Sequence, residues 1–227
     1  MGEFLDSNAY LGLVITISAF AAGRAIQSKW KNPLLNPILI ATAIVMAVLL
    51  SSGISVEDYQ AGCAPLQYLL TPATICYAIS LHDQIHTMKR NLFAILAGVA
   101  CGTLVSLFSI QLMCDVLGLD QVLTVSLLPK SITTAIGMPL SEEAGGIPAV
   151  TTAAIILTGI LGNMLGPILC SVFRITDPVA KGVSFGTASH AIGTAKAAEI
   201  SALTGAVSSF SLTFAGLITV ILYSFLI

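Results

Sequence analysis

Residues 91–114 read NLFAILAGVACGTLVSLFSIQLMC, with no Asp, Glu, Lys or Arg between Arg90 and Asp115. A transmembrane helix needs about 20 mostly apolar residues, and this stretch is long enough. A soluble core helix would show polar residues on its outer face at every turn, and no such face can be drawn here. The windows 32–56, 59–82, 144–173 and 200–227 are equally free of charge. Only 9% of the 227 residues are charged and 56% are hydrophobic, whereas about a quarter of an average soluble protein is charged. The pattern predicts an all-α, polytopic transmembrane domain.

Eight apolar elements can be drawn, at 8–25, 35–54, 64–81, 91–114, 121–140, 148–173, 182–198 and 203–226. The links between them are short and carry nearly all the charge, so the chain reads as one transmembrane domain, 1–227. The acidic start of the chain lacks the basic region and cleavage site of a secretory signal, so the segment from about Asn8 is expected to be a retained span. Basic links (Arg24, Lys29 and Lys31; Lys89 and Arg90; Arg174 and Lys181) alternate with acidic ones (Glu57 and Asp58; Asp115 and Asp120; Glu142 and Glu143). With basic links in the cytoplasm, the N-terminus lies outside and the fifth element has both ends outside. Segment 121–140 is therefore expected to enter and return as a re-entrant or broken hairpin. The run PILIATAIV from Pro37 resembles PAVTTAAII from Pro148. This suggests inverted repeats at about 8–115 and 121–227, an architecture typical of secondary transporters.

Nine basic residues spread over several links make no nucleic-acid patch. Cys63, Cys76, Cys101, Cys114 and Cys170 form no C-x-x-C pair and read as small hydrophobes. H-E-x-x-H, G-x-S-x-G and Walker motifs are absent. The reading expects no enzyme, no cofactor and no metal.

Three segments are too polar or too broken to be plain spans. In LLPKSITTAIGMP, from Leu127, Pro129 removes a backbone donor, and Lys130, Ser131, Thr133 and Thr134 follow. One reading is an anion site, in which freed N–H groups, hydroxyls and an ammonium hold a carboxylate; the other is a lysine snorkelling to the interface. In GTASHAIGTAKAAE, from Gly186, two glycines (Gly186, Gly193) that permit a helix break accompany Thr187, Ser189, His190, Thr194 and Lys196. His190 can relay a proton or be satisfied structurally by a hydroxyl or carbonyl. His190 and Lys196 lie about 240° apart on a continuous helix, so a break near Gly193 is needed to turn both towards one ligand. In the third segment, Pro72 between Thr71 and Thr74 suggests a kink whose free carbonyls the threonines re-satisfy. Spacings at Gly98/Gly102, Gly162/Gly166 and Gly182/Gly186 read as packing seams, and Asn163 as an interhelical donor.

The motifs from Leu128 (LPKSITT) and Gly186 (GTASHAIGTAKA), with GGIPAVT from Gly145, ILTGILG from Ile156 and LGP from Leu165, resemble the LrgB/CidB family over nearly the whole chain. Where that family often has a proline after the paired threonines, this chain has Ala135. The resemblance implies a multi-pass protein of the bacterial inner membrane. Some members are described as antiholin-like, modulating murein hydrolases together with a small LrgA/CidA-type holin-like membrane partner. Others resemble carriers of small monocarboxylates such as pyruvate, and a plant relative is a plastidal glycolate/glycerate translocator.

Two functions follow as expectations. The first is proton-coupled secondary transport of a small monocarboxylate. Lys130 would neutralise it, and Ser131, Thr133, Thr134, Thr187, Ser189 and Thr194 would bond it. His190 would carry the proton, and Lys196 would act as a second cation or gate. The second is an antiholin-like regulator of murein hydrolase activity and lysis, acting through the holin-like partner. Small-residue seams suggest a homodimer.

Overall fold

The computed structural model describes residues 10–30, 36–69, 72, 75, 76, 79 and 82–226. The described secondary structure is entirely helical, and the chain divides into two compact units, Met1–Cys76 and Tyr77–Ile227.

In the first unit α1 (Leu11–Trp30) packs on α2 (Pro37–Ser52), followed by the short helices α3 (Val56–Gly62) and α4 (Ala64–Tyr68). Asn36 starts α2 by accepting from the Ile38 amide at 2.8 Å, and Pro37 occupies a first-turn position where its missing N–H costs nothing. Gly53, at φ 69, ends the helix in the left-handed conformation. A side chain at Gly23 would run into the Pro37 backbone, so the glycine sets how closely the hairpin closes. Thr16 lies 2.7 Å from both the Gly12 carbonyl and the Tyr59 hydroxyl. Its one proton goes to the carbonyl, so Tyr59 donates to Thr16 and ties α3 to α1. The acidic link at Glu57 and Asp58 is thus itself a helix, with both carboxylates in the first turn, where the helix dipole favours them. Thr71 and Thr74 lie outside the described residues, whereas Pro72 is in helical conformation.

The second unit runs α5 (Ile85–Arg90), α6 (Leu92–Leu117), α7 (Gln121–Leu127), a 3-10 turn (Leu128–Ser131), α8 (Thr134–Glu143), α9 (Pro148–Val172), α10 (Pro178–Ile200) and α11 (Ala202–Leu226). Asp120 and Asp177 cap α7 and α10 through the Leu123 and Ala180 amides. The most polar long helix, α10, packs against α6, α9 and α11. The distribution is inverted relative to a soluble protein. Ser126, Ser141, Thr151, Thr194, Thr204, Ser208 and Ser211 are buried, while Phe93, Val105, Phe108, Leu112, Leu157, Leu217 and Phe225 are exposed. Hydroxyls that bond inside the bundle and hydrocarbon that faces outward are what lipid demands. Helices α1, α6, α9 and α11 are long and apolar enough to cross a membrane, with α2 a shorter apolar helix. The protein is a multi-pass, all-α membrane protein.

One element departs from its expected bounds and another is broken where a break was expected. The segment expected at 182–198 begins earlier, at Pro178, because Asp177 and Pro178 form a helix start. The segment 121–140 is not one helix. It divides into α7 and α8, which at about 1.5 Å per residue are each too short to span. The end of the hairpin comes back beside α7, where the Ser126 hydroxyl accepts from the Ile147 amide at 2.7 Å. Any side chain at Gly146 would strike the Ser141 hydroxyl.

Candidate functional site

Two helix breaks build the site. In the first, Pro129 has no N–H with which to bond the Val125 carbonyl one turn back. Its backbone leaves helical geometry (φ −83, ψ 15), and Ile132 and Thr133 are extended before α8 begins. The freed Val125 carbonyl is taken by the Tyr223 hydroxyl of α11 at 2.9 Å. A proline at position 135 would fall in the first turn of α8, where proline is at home. Ala135 therefore leaves this break unchanged.

The second break lies in α10 at Ser189 (φ −133, ψ 15) and His190 (φ 42, ψ −138). Sequence reasoning placed it at the glycines, but Gly186 and Gly193 keep helical geometry. Each serves close approach instead: Gly186 sits against Ser208 and Ser211 of α11, and Gly193 against Ser189 and the Phe185 carbonyl. The other seams are also internal, with Gly102 against Thr187 and Gly182 against Val207. His190 is buried and its Nε2–H donates to the Ile155 carbonyl of α9 at 2.9 Å. Gly159 leaves room for the ring. The His190 carbonyl accepts from Thr194, which in turn accepts from Ser208. Asn163 of α9 donates to the Ile192 carbonyl.

A positive φ on a residue with a side chain costs about 1–3 kcal/mol. His190→Gly is therefore expected to be more stable than His190→Ala by about 1–2 kcal/mol in detergent unfolding, although alanine is normally the better helix former by about 1 kcal/mol. An alanine variant at least as stable as the glycine variant would show that position 190 is not strained.

Between α6, the 3-10 turn, α10 and α11 lies a narrow, nearly closed pocket of about 10 Å³, room for about one water molecule as it stands. Its polar lining is Thr103, Ser106, Ser131, Thr187 and Thr219, and Leu107, Leu128, Ile132 and Ala215 complete it. Ser106 and Ser131 share a hydrogen bond of 3.0 Å, and Lys130 Nζ donates to Ser131 at 3.3 Å. Thr103 and Thr187, only 3% and 6% exposed, have hydroxyls with no hydrogen-bond partner among the described residues. Among the described residues Lys130 forms no ion pair; those present are His82–Asp83 and Lys196–Glu199. A cationic centre beside free hydroxyl donors suits a small anion.

Of the residues singled out in the sequence, the structure brings Ser131 and Thr187 together in the pocket, and Lys130 reaches it through its bond to Ser131 without lining it. Thr133 and Thr134, half-buried, start α8. Ser189, His190 and Thr194 are buried at the contacts of α10 with α9 and α11 and are not among the residues lining the pocket. Lys196 pairs with Glu199 near the end of α10. Thr103, Ser106 and Thr219 were not singled out. The one available signal was the pair Thr103 and Ser106, three apart on a single face in the middle of a mostly apolar helix.

The LrgB-like family matches residues 16–227, nearly the whole chain. The chain belongs to the LrgB-like family. Antiholin-like protein LrgB from Bacillus mycoides (strain KBAB4) is 33% identical over 213 residues, covering 93% of each chain. Uncharacterized protein YwbG from Bacillus subtilis (strain 168) is 34% identical over 217 residues, covering 96% of each. Antiholin-like protein LrgB from Bacillus cereus (strain B4264) is 33% identical over 213 residues. No solved structure matches the chain significantly. The LrgB-like match includes both breaks and every residue of the pocket.

Proposed function

We propose that this LrgB-like protein is a secondary transporter of a small monocarboxylate of the pyruvate or glycolate kind, coupled to protons and without a chemical step of its own. The observation that carries the reading is the narrow pocket, where two buried hydroxyls without partners among the described residues share the lining with Ser131, the acceptor of the Lys130 ammonium. Buried polar groups are normally satisfied, so such a cluster suits a hydrogen-bonding solute. Lys130 and Ser131 hold its carboxylate, and Thr103 and Thr187 bond its remaining oxygen. Thr133 and Thr134 present the start of α8 to the anion. Ser189, His190 and Thr194 maintain the second break, with His190 as the proton carrier, and Lys196 acts as a gate near the end of α10. The inverted repeat belongs to the same reading and is supported by Pro37 and Pro148, which open α2 and α9 in the same helical position. So do an N-terminus outside the bacterial inner membrane and a homodimer.

The relatives favour a second reading, and favour it more directly: two of those compared are named antiholin-like. On that reading the chain regulates murein hydrolase activity and lysis together with a small LrgA/CidA-type holin-like partner. Purified protein in liposomes, without any partner, separates the two. Transport predicts uptake of labelled pyruvate or glycolate that rises with an imposed pH gradient. It also predicts that Thr103→Val, which keeps the shape and removes one hydrogen bond, slows uptake about ten-fold. No uptake of either acid under any gradient would end the transport reading and leave the antiholin-like one.

A further inference from the structure

A second pocket lies at one end of the second unit, lined by Gln111, Asp115, Gln121, Thr124, Val125 and Leu128, with Leu119 and Leu226 at its edge. It is open on one side and larger than the first, about 270 Å³, and four of its eight lining residues are polar. Leu128 lines both pockets. Two helices independently give the same order. Along α6, Thr103 faces the inner pocket and Gln111 the outer one. Leu107, four residues from each and on the same stripe, stands between them. Along α11, Thr219 belongs to the inner pocket and Leu226 to the outer one. At about 1.5 Å per residue the two ends are about 10–12 Å apart on either helix. The partition consists of Leu107, Val125 and Leu128, which pack in one apolar cluster with Tyr223. Leu128 is 1% exposed and sits on the 3-10 turn, the one irregular element in that layer.

We propose that the open pocket is the entry site for a small hydrophilic solute, that it continues into the hydroxyl-lined pocket, and that Leu128 is the barrier between them. The apolar layer is about one side chain thick, so a change at the 3-10 turn is enough to join the two polar spaces. The proposal rests on the solute-binding reading of the inner pocket, but its test needs no solute.

The test is thiol labelling in the full chain. Cys63, Cys76, Cys101 and Cys114 are replaced by alanine, and the native, buried Cys170 is kept as a fold reporter. Thr103→Cys is then exposed to a charged, water-soluble methanethiosulfonate from each side of the membrane. With Leu128 in place labelling is slow. With Leu128→Ala it rises at least ten-fold from the side of the open pocket, while Cys170 stays protected. Leu128→Val, a smaller change, is measured in parallel so that a loss of fold in the alanine variant does not decide the outcome. It should give an intermediate rate. Equal labelling of the introduced thiol with leucine, valine or alanine at 128 would overturn the barrier, as would faster labelling only from the opposite side. Faster labelling without uptake of any carboxylate would keep the path and remove the transport reading. Uptake with no effect at Leu128 would do the reverse.

Discussion

Gly162→Ala is expected to lower stability by about 3 kcal/mol, read from chemical or thermal unfolding in detergent. A Cβ at position 162 would overlap the Ser189 hydroxyl and lie 2.5 Å from the Ser189 Cβ. Overpacking by a single methyl usually costs about 1–3 kcal/mol. The upper end applies because Ser189 cannot turn aside: it is 3% exposed and belongs to the broken stretch of α10. The two helices must then part along a face that also holds Gly159 against His190 and Gly166 against Phe185. Gly98→Ala is the control. Its Cβ would meet a single methyl of the half-buried Val183 at 3.1 Å, a shift of a few tenths of an ångström, so the effect should stay within about 1 kcal/mol. Ser189→Gly removes the atoms in the way and should recover much of the loss in the double variant. Independent, additive effects of Gly162→Ala and Ser189→Gly would show that the two positions do not touch.

Lys130→Met is expected to abolish transport while making the protein more stable. The ammonium is half-buried, has no carboxylate partner among the described residues, and makes a single long hydrogen bond to Ser131. Desolvating such a charge costs more than one neutral acceptor returns. Methionine keeps the length of the side chain and removes the cost, so stability should rise by about 1–2 kcal/mol. Uptake of labelled pyruvate or glycolate should fall at least about 100-fold, the equivalent of losing one charge-assisted contact to the carboxylate. A variant that loses stability would mean that the ammonium is well solvated or paired. A variant that is more stable and still transports would remove Lys130 from the site.

The membrane class and both broken segments were legible in the sequence for different reasons. Charge-free windows need no tertiary context. The hairpin at 121–140 was legible because Pro129 and the parity of the acidic links pointed to the same segment. The position of the second break was not. Gly193 is the obvious breaker by composition, yet the break falls on a histidine at positive φ, held by the Ile155 carbonyl 35 residues away in sequence. No local rule selects that residue. The pocket residues Thr103, Ser106 and Thr219 were hidden for another reason. A threonine or serine in an apolar helix normally bonds the carbonyl one turn back, as Thr42, Ser184, Thr213 and Ser224 do here. Only the fold reveals that Thr103 does not.

The hairpin is fastened on both sides of its tip. Val125 is held by Tyr223, and Ser126 by the backbone of Ile147, which in turn carries Thr151 and Ser141. Between these fastenings lies the stretch 128–133, a turn and two extended residues rather than a helix, itself tied to α6 by the Ser106–Ser131 bond. On the proposed path, a displacement confined to that stretch would be a local opening, of the kind that sets exchange of a few amides with solvent. The pace of such an opening would be governed by the packing of one tip, in which Leu128 and Pro129 are both buried.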